Sequence, residues 1–169
     1  RSTLRNHFPL SFALIRRELG EQAVGLALVQ SLHAARPWKS DLTRGLTHNF
    51  VQYLTHDRPD LLSRIPYLAD VAQLEVKHLD AARAVDPQEG ELLLGVSLTS
   101  LNVEELMLKR WQLAPSVQLA EFGYDVIRYR KDFFEADRCL PAEEPVQIPV
   151  LAVAARNRRC AVRWHPVQP

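Results

Sequence analysis

The sequence predicts an α+β fold: a helical bundle of about four helices, then a small antiparallel β-sheet that carries one short helix. Three observations carry this expectation. Up to about residue 86, apolar residues recur at the three-and-four spacing of amphipathic helices. From about residue 87 onward, several segments switch to strict alternation, the period of half-buried strands. Between them, the stretch Leu113–Phe134 holds an alternating segment that hands directly to a helical one, which marks a junction within one domain. The expected organisation is therefore a helical half over 1–86 and an α+β half over 87–169, packed as one unit. With 169 residues, 47% of them apolar, the chain suffices for one core and is short for two.

Phe8, Phe12, Ile15 and Leu19 form one helical stripe, on a helix that starts near Pro9 and stops at Gly20. Glu21 opens a second helix with Val24, Leu28 and Leu32 inward, ending before Pro37 because the residue before a proline leaves the α region. Asp41 reads as the cap of a third, striped by Leu42, Leu46, Phe50, Tyr53 and Leu54. The segment Thr55–Asp60 reads as a turn. Pro66 is expected at the first position of the longest helix, through Tyr67, Leu68, Val71, Ala72, Glu75, Leu79 and Ala82. Glu75 falls inside that apolar stripe. A charge there requires a partner, such as an arginine or a capping amide; a contact with another protein is the other reading.

Asp86-Pro87 closes the helical half. Leu92, Leu94, Val96 and Leu98 alternate as a strand, and Asn102 can cap a short turn. After Pro115, Ser116–Phe122 alternates as a strand and Gly123 ends it. Asp125 then caps a short helix, with Val126, Tyr129 and Phe133 on one face and Arg128, Lys131 and Asp132 on the other. Cys139–Pro145 is a loop. Val150–Ala155 reads as a buried strand, Arg156-Asn157 as a two-residue turn, and Cys160, Val162 and Trp164 as the alternate residues of a return strand.

Composition narrows the function classes. A net charge of +1 lacks the basic excess of a nucleic-acid-coating domain. Two cysteines, Cys139 and Cys160, make neither a disulfide framework nor a zinc site, so a reduced, cytoplasmic compartment is the default. No apolar run reaches the length of a membrane span, and no membrane partner is expected. The six histidines (7, 33, 48, 56, 78 and 165) show no spacing that sets two imidazoles on one helical face for a metal. There is no nucleophile elbow and no phosphate-cradling glycine loop. These residues favour a binding or scaffold protein over an enzyme, with no catalytic residue and no metal ligand expected in this chain.

Three runs are similar to those of a known family. Pro66-Tyr67-Leu68-Ala69-Asp70-Val71-Ala72-Gln73-Leu74-Glu75 resembles the PYLADVARLE helix of a bacterial family once labelled a DNA-binding domain. Leu113-Ala114-Pro115-Ser116-Val117-Gln118-Leu119 resembles its LHPSVRLL strand, and Phe8-Pro9 before a helix ending Leu19-Gly20 resembles its FPVVRALVG opening. The likeness runs from about Phe8 to Trp164. It departs at Ala114, where many members have His, and in stopping at Pro169, where longer members continue with more helix. That brevity fits the methanobactin-type branch.

The resemblance implies a companion subunit of a multinuclear non-haem iron oxygenase that modifies cysteines of a ribosomally made precursor peptide, as in oxazolone and thioamide formation in methanobactin. The iron would belong to the partner subunit, with no cofactor in this chain, and this chain would help hold the leader peptide. The alternative is the old label, a DNA-binding transcriptional regulator, against which the near-zero net charge counts. A small sheet has two edges that an extended peptide can join. Ser116, Val117, Gln118, Leu119, Ala120, Glu121 and Phe122 are the expected peptide-binding edge, and Val150–Ala155, apolar on both faces, the expected central strand. That the 116–122 strand is instead paired on both sides stays open at this stage. An edge would tolerate proline at Ala120. The partner interface is expected between Tyr53 and Asp70, at Tyr53, Arg64, Tyr67 and Asp70.

Overall fold

The computed structural model describes residues 3–33, 42–85, 114–156 and 161–167. The architecture is α+β, with the helices leading and a three-stranded antiparallel sheet following. The helices are α1 (Thr3–His7), α2 (Pro9–Leu19), α3 (Glu21–His33), α4 (Leu42–Gln52), α5 (Pro59–Arg64), α6 (Leu68–Arg83) and α7 (Val126–Glu135). The strands are β1 (Val117–Phe122), β2 (Val150–Arg156) and β3 (Val162–Pro166).

The expected helix boundaries hold where proline and glycine set them. Pro9 occupies the first turn of α2, and Gly20 ends it at φ +83°, a conformation that costs glycine little. Three parts differ from the sequence reading. A five-residue helix, α1, precedes α2. The segment expected as a turn is helical: Tyr53–Asp57 forms a π-helical turn that continues α4, and Pro59 starts α5 rather than breaking a helix. Arg58 makes the joint between them. Its guanidinium donates to both Asp60 carboxylate oxygens (2.9 and 2.8 Å) and to the Tyr53 hydroxyl (3.0 Å). Finally, Pro66 lies in the turn before α6, which begins at Leu68.

α6 is the centre of the molecule. Leu68, Val71, Ala72 and Leu74 are fully buried, and burying a large aliphatic side chain stabilises by about 1.5–3 kcal/mol. The helix packs against α2 and α4 on one side and against β1, β2 and α7 on the other. One apolar cluster therefore includes residues from both halves of the chain, from Phe8 and Phe50 to Phe122, Phe133 and Ala152. Polar ties fix its ends: Arg156 donates to the Ala82 carbonyl (3.0 Å), and His48 meets Asp80 at 3.1 Å.

The sheet order is β1-β2-β3, with Val117 opposite Ala155 and Arg156 opposite Val162. Because Arg156 pairs with Val162, residues 157–161 connect β2 to β3, and Arg156 is part of the strand rather than of a two-residue turn. The small side chains of Ala120, Ala152 and Ala154 let the sheet lie close on α6. The expected strand at 92–98, the turn at Asn102, and the capping role of Asp41 lie outside the described residues, as does Cys160.

Candidate functional site

Among the described residues β1 pairs with β2 on one side and with no strand on the other. The register shows which of its groups face that open side. The Val167 N–H donates to the Leu151 carbonyl at 2.8 Å, so position 151 of β2 points its backbone groups toward β3. In an antiparallel ladder this direction alternates along the strand. Ala152 and Ala154 therefore point toward β1, where they face Ala120 and Gln118. Two features agree. Pro166, which has no N–H, sits opposite Ala152, a position with no bond to give in that direction. The Val117 N–H turns away from β2 and donates to the Ala114 carbonyl (2.8 Å). Leu119 and Glu121 thus direct their N–H and C=O groups to the open edge, whereas Ala120 directs its own to β2. A proline at Ala120 breaks the ladder, so the tolerant position is Glu121 or Leu119.

Side-chain direction is also settled. Ala120 and Phe122 face the core, and Phe122 meets Trp164 edge-on with centroids 5.6 Å apart. Gln118 lies on the same face, where the Lys77 ammonium donates to its side-chain oxygen (3.4 Å). Leu119 points outward, 50% exposed, beside Val153 and near Leu151 (42%) and Val167 (43%). A strand added at β1 would alternate between this apolar outer face and the Lys77–Gln118 side. Gln118 and Glu121, the polar side chains of β1, lie on opposite faces. Ser116, just before the strand, is buried.

The residues expected at a partner interface are not alike in the structure. Tyr53 is buried, its hydroxyl donating to Gln30 Oε1 (2.6 Å) and accepting from Arg58. Tyr67 is buried beside Tyr124 and Tyr129, its hydroxyl accepting from Arg17 (3.1 Å) and donating to Glu144 (3.4 Å). Burial raises its pKa first of all, against the Arg17 hydrogen bond. The Asp70 carboxylate accepts from the Gly123 and Tyr124 N–H groups (2.7 and 3.1 Å), tying the β1–α7 junction to α6. Burial raises its pKa, against those two bonds. Arg64 is exposed. Three of the four are thus engaged within the chain, and Arg64 stands at the surface.

Glu75 finds its partners inside the chain as a capping group. Its carboxylate accepts from the Leu10 N–H (2.9 Å), the Ser11 N–H (3.2 Å) and the Ser11 hydroxyl (2.7 Å). These lie in the first turn of α2, where helix N–H groups have no partner of their own. α6 thereby caps α2 from a distance of 64 residues. Burial pushes the Glu75 carboxyl up to about 7, against those bonds and the charge of Arg130. His78, one turn on, is pushed down to about 4, by burial and then by Arg130. Among the described residues, the buried Nδ1 of His78 and Nε of Arg130 have no hydrogen-bond partner, and the Arg130 guanidinium rests 4.7 Å from the centre of the Phe134 ring. The rest of the surface holds an acidic groove of about 330 Å³ between α7 and 141–146.

Among the described residues, no group of three or more His, Cys, Asp or Glu is placed to hold a metal ion, and no helix is long and apolar enough to cross a membrane. Neither a family model nor a curated protein matches the chain.

Proposed function

We propose that this chain is a peptide-holding subunit that captures an extended precursor peptide as an added strand on β1. The observation that carries the reading is the edge of β1 that no strand covers among the described residues, with Leu119 and Glu121 directing main-chain groups outward beside an exposed apolar face. Strand addition draws affinity from main-chain hydrogen bonds and specificity from alternate side chains. At β1 the alternate side chains would meet Leu119 on one face and Lys77 with Gln118 on the other.

In this proposal the chemistry is done elsewhere. The resemblance of the 66–75 and 113–119 segments supports a multinuclear non-haem iron oxygenase as partner, modifying cysteines of a ribosomally made peptide to oxazolone and thioamide groups. The iron and its ligands would belong to that subunit, in the cytoplasm. The surface around Arg64 is the proposed docking side, since Arg64 is the exposed one of the four residues expected at that interface.

Reconstitution tests the proposal. A candidate oxygenase of the proposed class is assayed by mass spectrometry on its precursor peptide, with and without the subunit, and the mixture is run on gel filtration at micromolar concentration. Co-elution and peptide modification that depends on this chain are expected. Separate elution, with modification unaffected by this chain, refutes it.

A further inference from the structure

A second concavity, of about 200 Å³, lies between the α1–α2 wall and the C-terminal end of α7. Arg5, Arg16 and Arg138 line it together with Asn6, over a floor that includes the buried rings of Phe12 and Phe133. Glu21 is the acidic partner of two of the three: it meets Arg5 at 2.8 Å and Arg16 at 4.0 Å, both exposed pairs that hold weakly. Two guanidinium groups thus share one carboxylate. Arg138 has no carboxylate within ion-pair distance among the described residues; its guanidinium lies 5.9 Å from the centre of the Phe134 ring. Asp137 and Arg138 are consecutive non-glycine residues in the left-handed region, at φ 52° and 64°, and the Arg138 N–H donates to the Phe133 carbonyl at 2.8 Å. These residues close the C-terminus of α7, where a left-handed conformation is usual, and so fix the position from which Arg138 leaves the helix.

We propose that this pocket binds a carboxylate carried on an apolar body, supplied by the C-terminus or an acidic side chain of a peptide. Guanidinium groups match the planar carboxylate with paired hydrogen bonds, and the phenylalanine floor takes the adjoining apolar group. The pocket is too small for a nucleotide, and the near-neutral chain offers no basic track for a nucleic-acid backbone. It shares no residue with β1, so loss of one site leaves the other testable.

N-acetyl-phenylalanine serves as the probe, with N-acetyl-phenylalaninamide and inorganic phosphate as controls. Each is titrated into the ¹⁵N-labelled full chain while the arginine Nε–H and backbone amide signals are followed. The acid is expected to saturate with millimolar affinity, moving signals of Arg16 and Arg138, and to bind about tenfold more weakly to Arg138→Ala, the scale of one charge-assisted hydrogen bond. Arg138→Gly, which relieves the left-handed strain, keeps the fold and should weaken binding equally. The amide and phosphate should each bind at least about tenfold more weakly than the acid. Equal binding of the amide makes the pocket merely apolar, and equal binding of phosphate makes it a bare anion site; either overturns the proposal. So does an acid that fails to saturate by about 20 mM, well above the millimolar range expected, or one that binds Arg138→Ala unchanged.

Discussion

Replacing Glu75 with alanine removes the capping group of α2 and leaves the Leu10 and Ser11 N–H groups and the Ser11 hydroxyl buried without an acceptor. A hydrogen bond contributes about 0.5–1.5 kcal/mol net, and a buried donor left alone costs about 1–3 kcal/mol. The three bonds share one carboxylate and do not add in full. The expected loss is about 3–5 kcal/mol, a large part of the roughly 5–15 kcal/mol that holds a domain folded. With a urea slope of about 2 kcal/mol/M, the unfolding midpoint should fall by about 1.5 M or more. Ser11→Ala removes one bond and should cost about 1 kcal/mol, and the double variant should cost clearly less than the sum. The assay is equilibrium urea unfolding followed by far-UV circular dichroism. A loss below about 1 kcal/mol for Glu75→Ala, within the range of an ordinary surface change, would refute the reasoning.

The same carboxyl group sets a pH dependence. Its folded pKa, near 7, lies above the ordinary 4.5, so its stabilising share is full below 4.5 and is lost as pH rises through 7. The difference in stability between wild type and Glu75→Gln should fall by about 3 kcal/mol from pH 4 to pH 8, read by urea unfolding at each pH, and a flat difference contradicts it. His78 works the other way: its folded pKa, near 4, lies below 6.5, so its share is present above 6.5 and lost as pH falls toward 4. Removing Glu75 should therefore unmask an acid-labile protein. Asp70→Ala strands the Gly123 and Tyr124 N–H groups and should cost about 1–3 kcal/mol, with faster amide exchange at those two positions than elsewhere in the sheet; unchanged exchange contradicts that tie. Asp125→Ala removes the cap that accepts from the Arg128 N–H and should cost about 1 kcal/mol in thermal or urea unfolding.

Legibility followed the range of the interactions. The periods that place α2, α4, α6 and α7 are local, and so are the marks at Pro9, Gly20 and Asp125, which the structure repeats. The π-helical turn at Tyr53–Asp57 and the start of α5 escaped because Pro59 among polar residues reads as a turn, while proline also suits a first helical turn. What settles it is the Arg58 fork to Tyr53 and Asp60. α1 is too short to show a period. The outward direction of Leu119 was hidden because Ala120 gives little signal, and only the fit of β1 on α6 decides which face is buried. Glu75 was legible as a residue in need of a partner, and a capping amide was among those foreseen. That the amides belong to α2 depends on contacts 64 and 65 residues away. The inward placement of Tyr53 and Tyr67 and the parity of the β1 edge are likewise non-local.

The peptide-holding role rests on that parity, and a pair of proline variants tests it most directly. Glu121→Pro removes a donor from the open side of β1, and Ala120→Pro removes one from the ladder with β2. The measurement is the affinity of the fluorescently labelled precursor peptide by anisotropy, with circular dichroism as the folding check and Glu121→Ala as the control for charge. Glu121→Pro should stay folded and bind the peptide about fivefold or more weakly, the scale of one lost main-chain bond of about 1 kcal/mol, while Glu121→Ala binds nearly as wild type. Ala120→Pro should be strongly destabilised. A folded Glu121→Pro variant that binds the peptide with wild-type affinity contradicts the account.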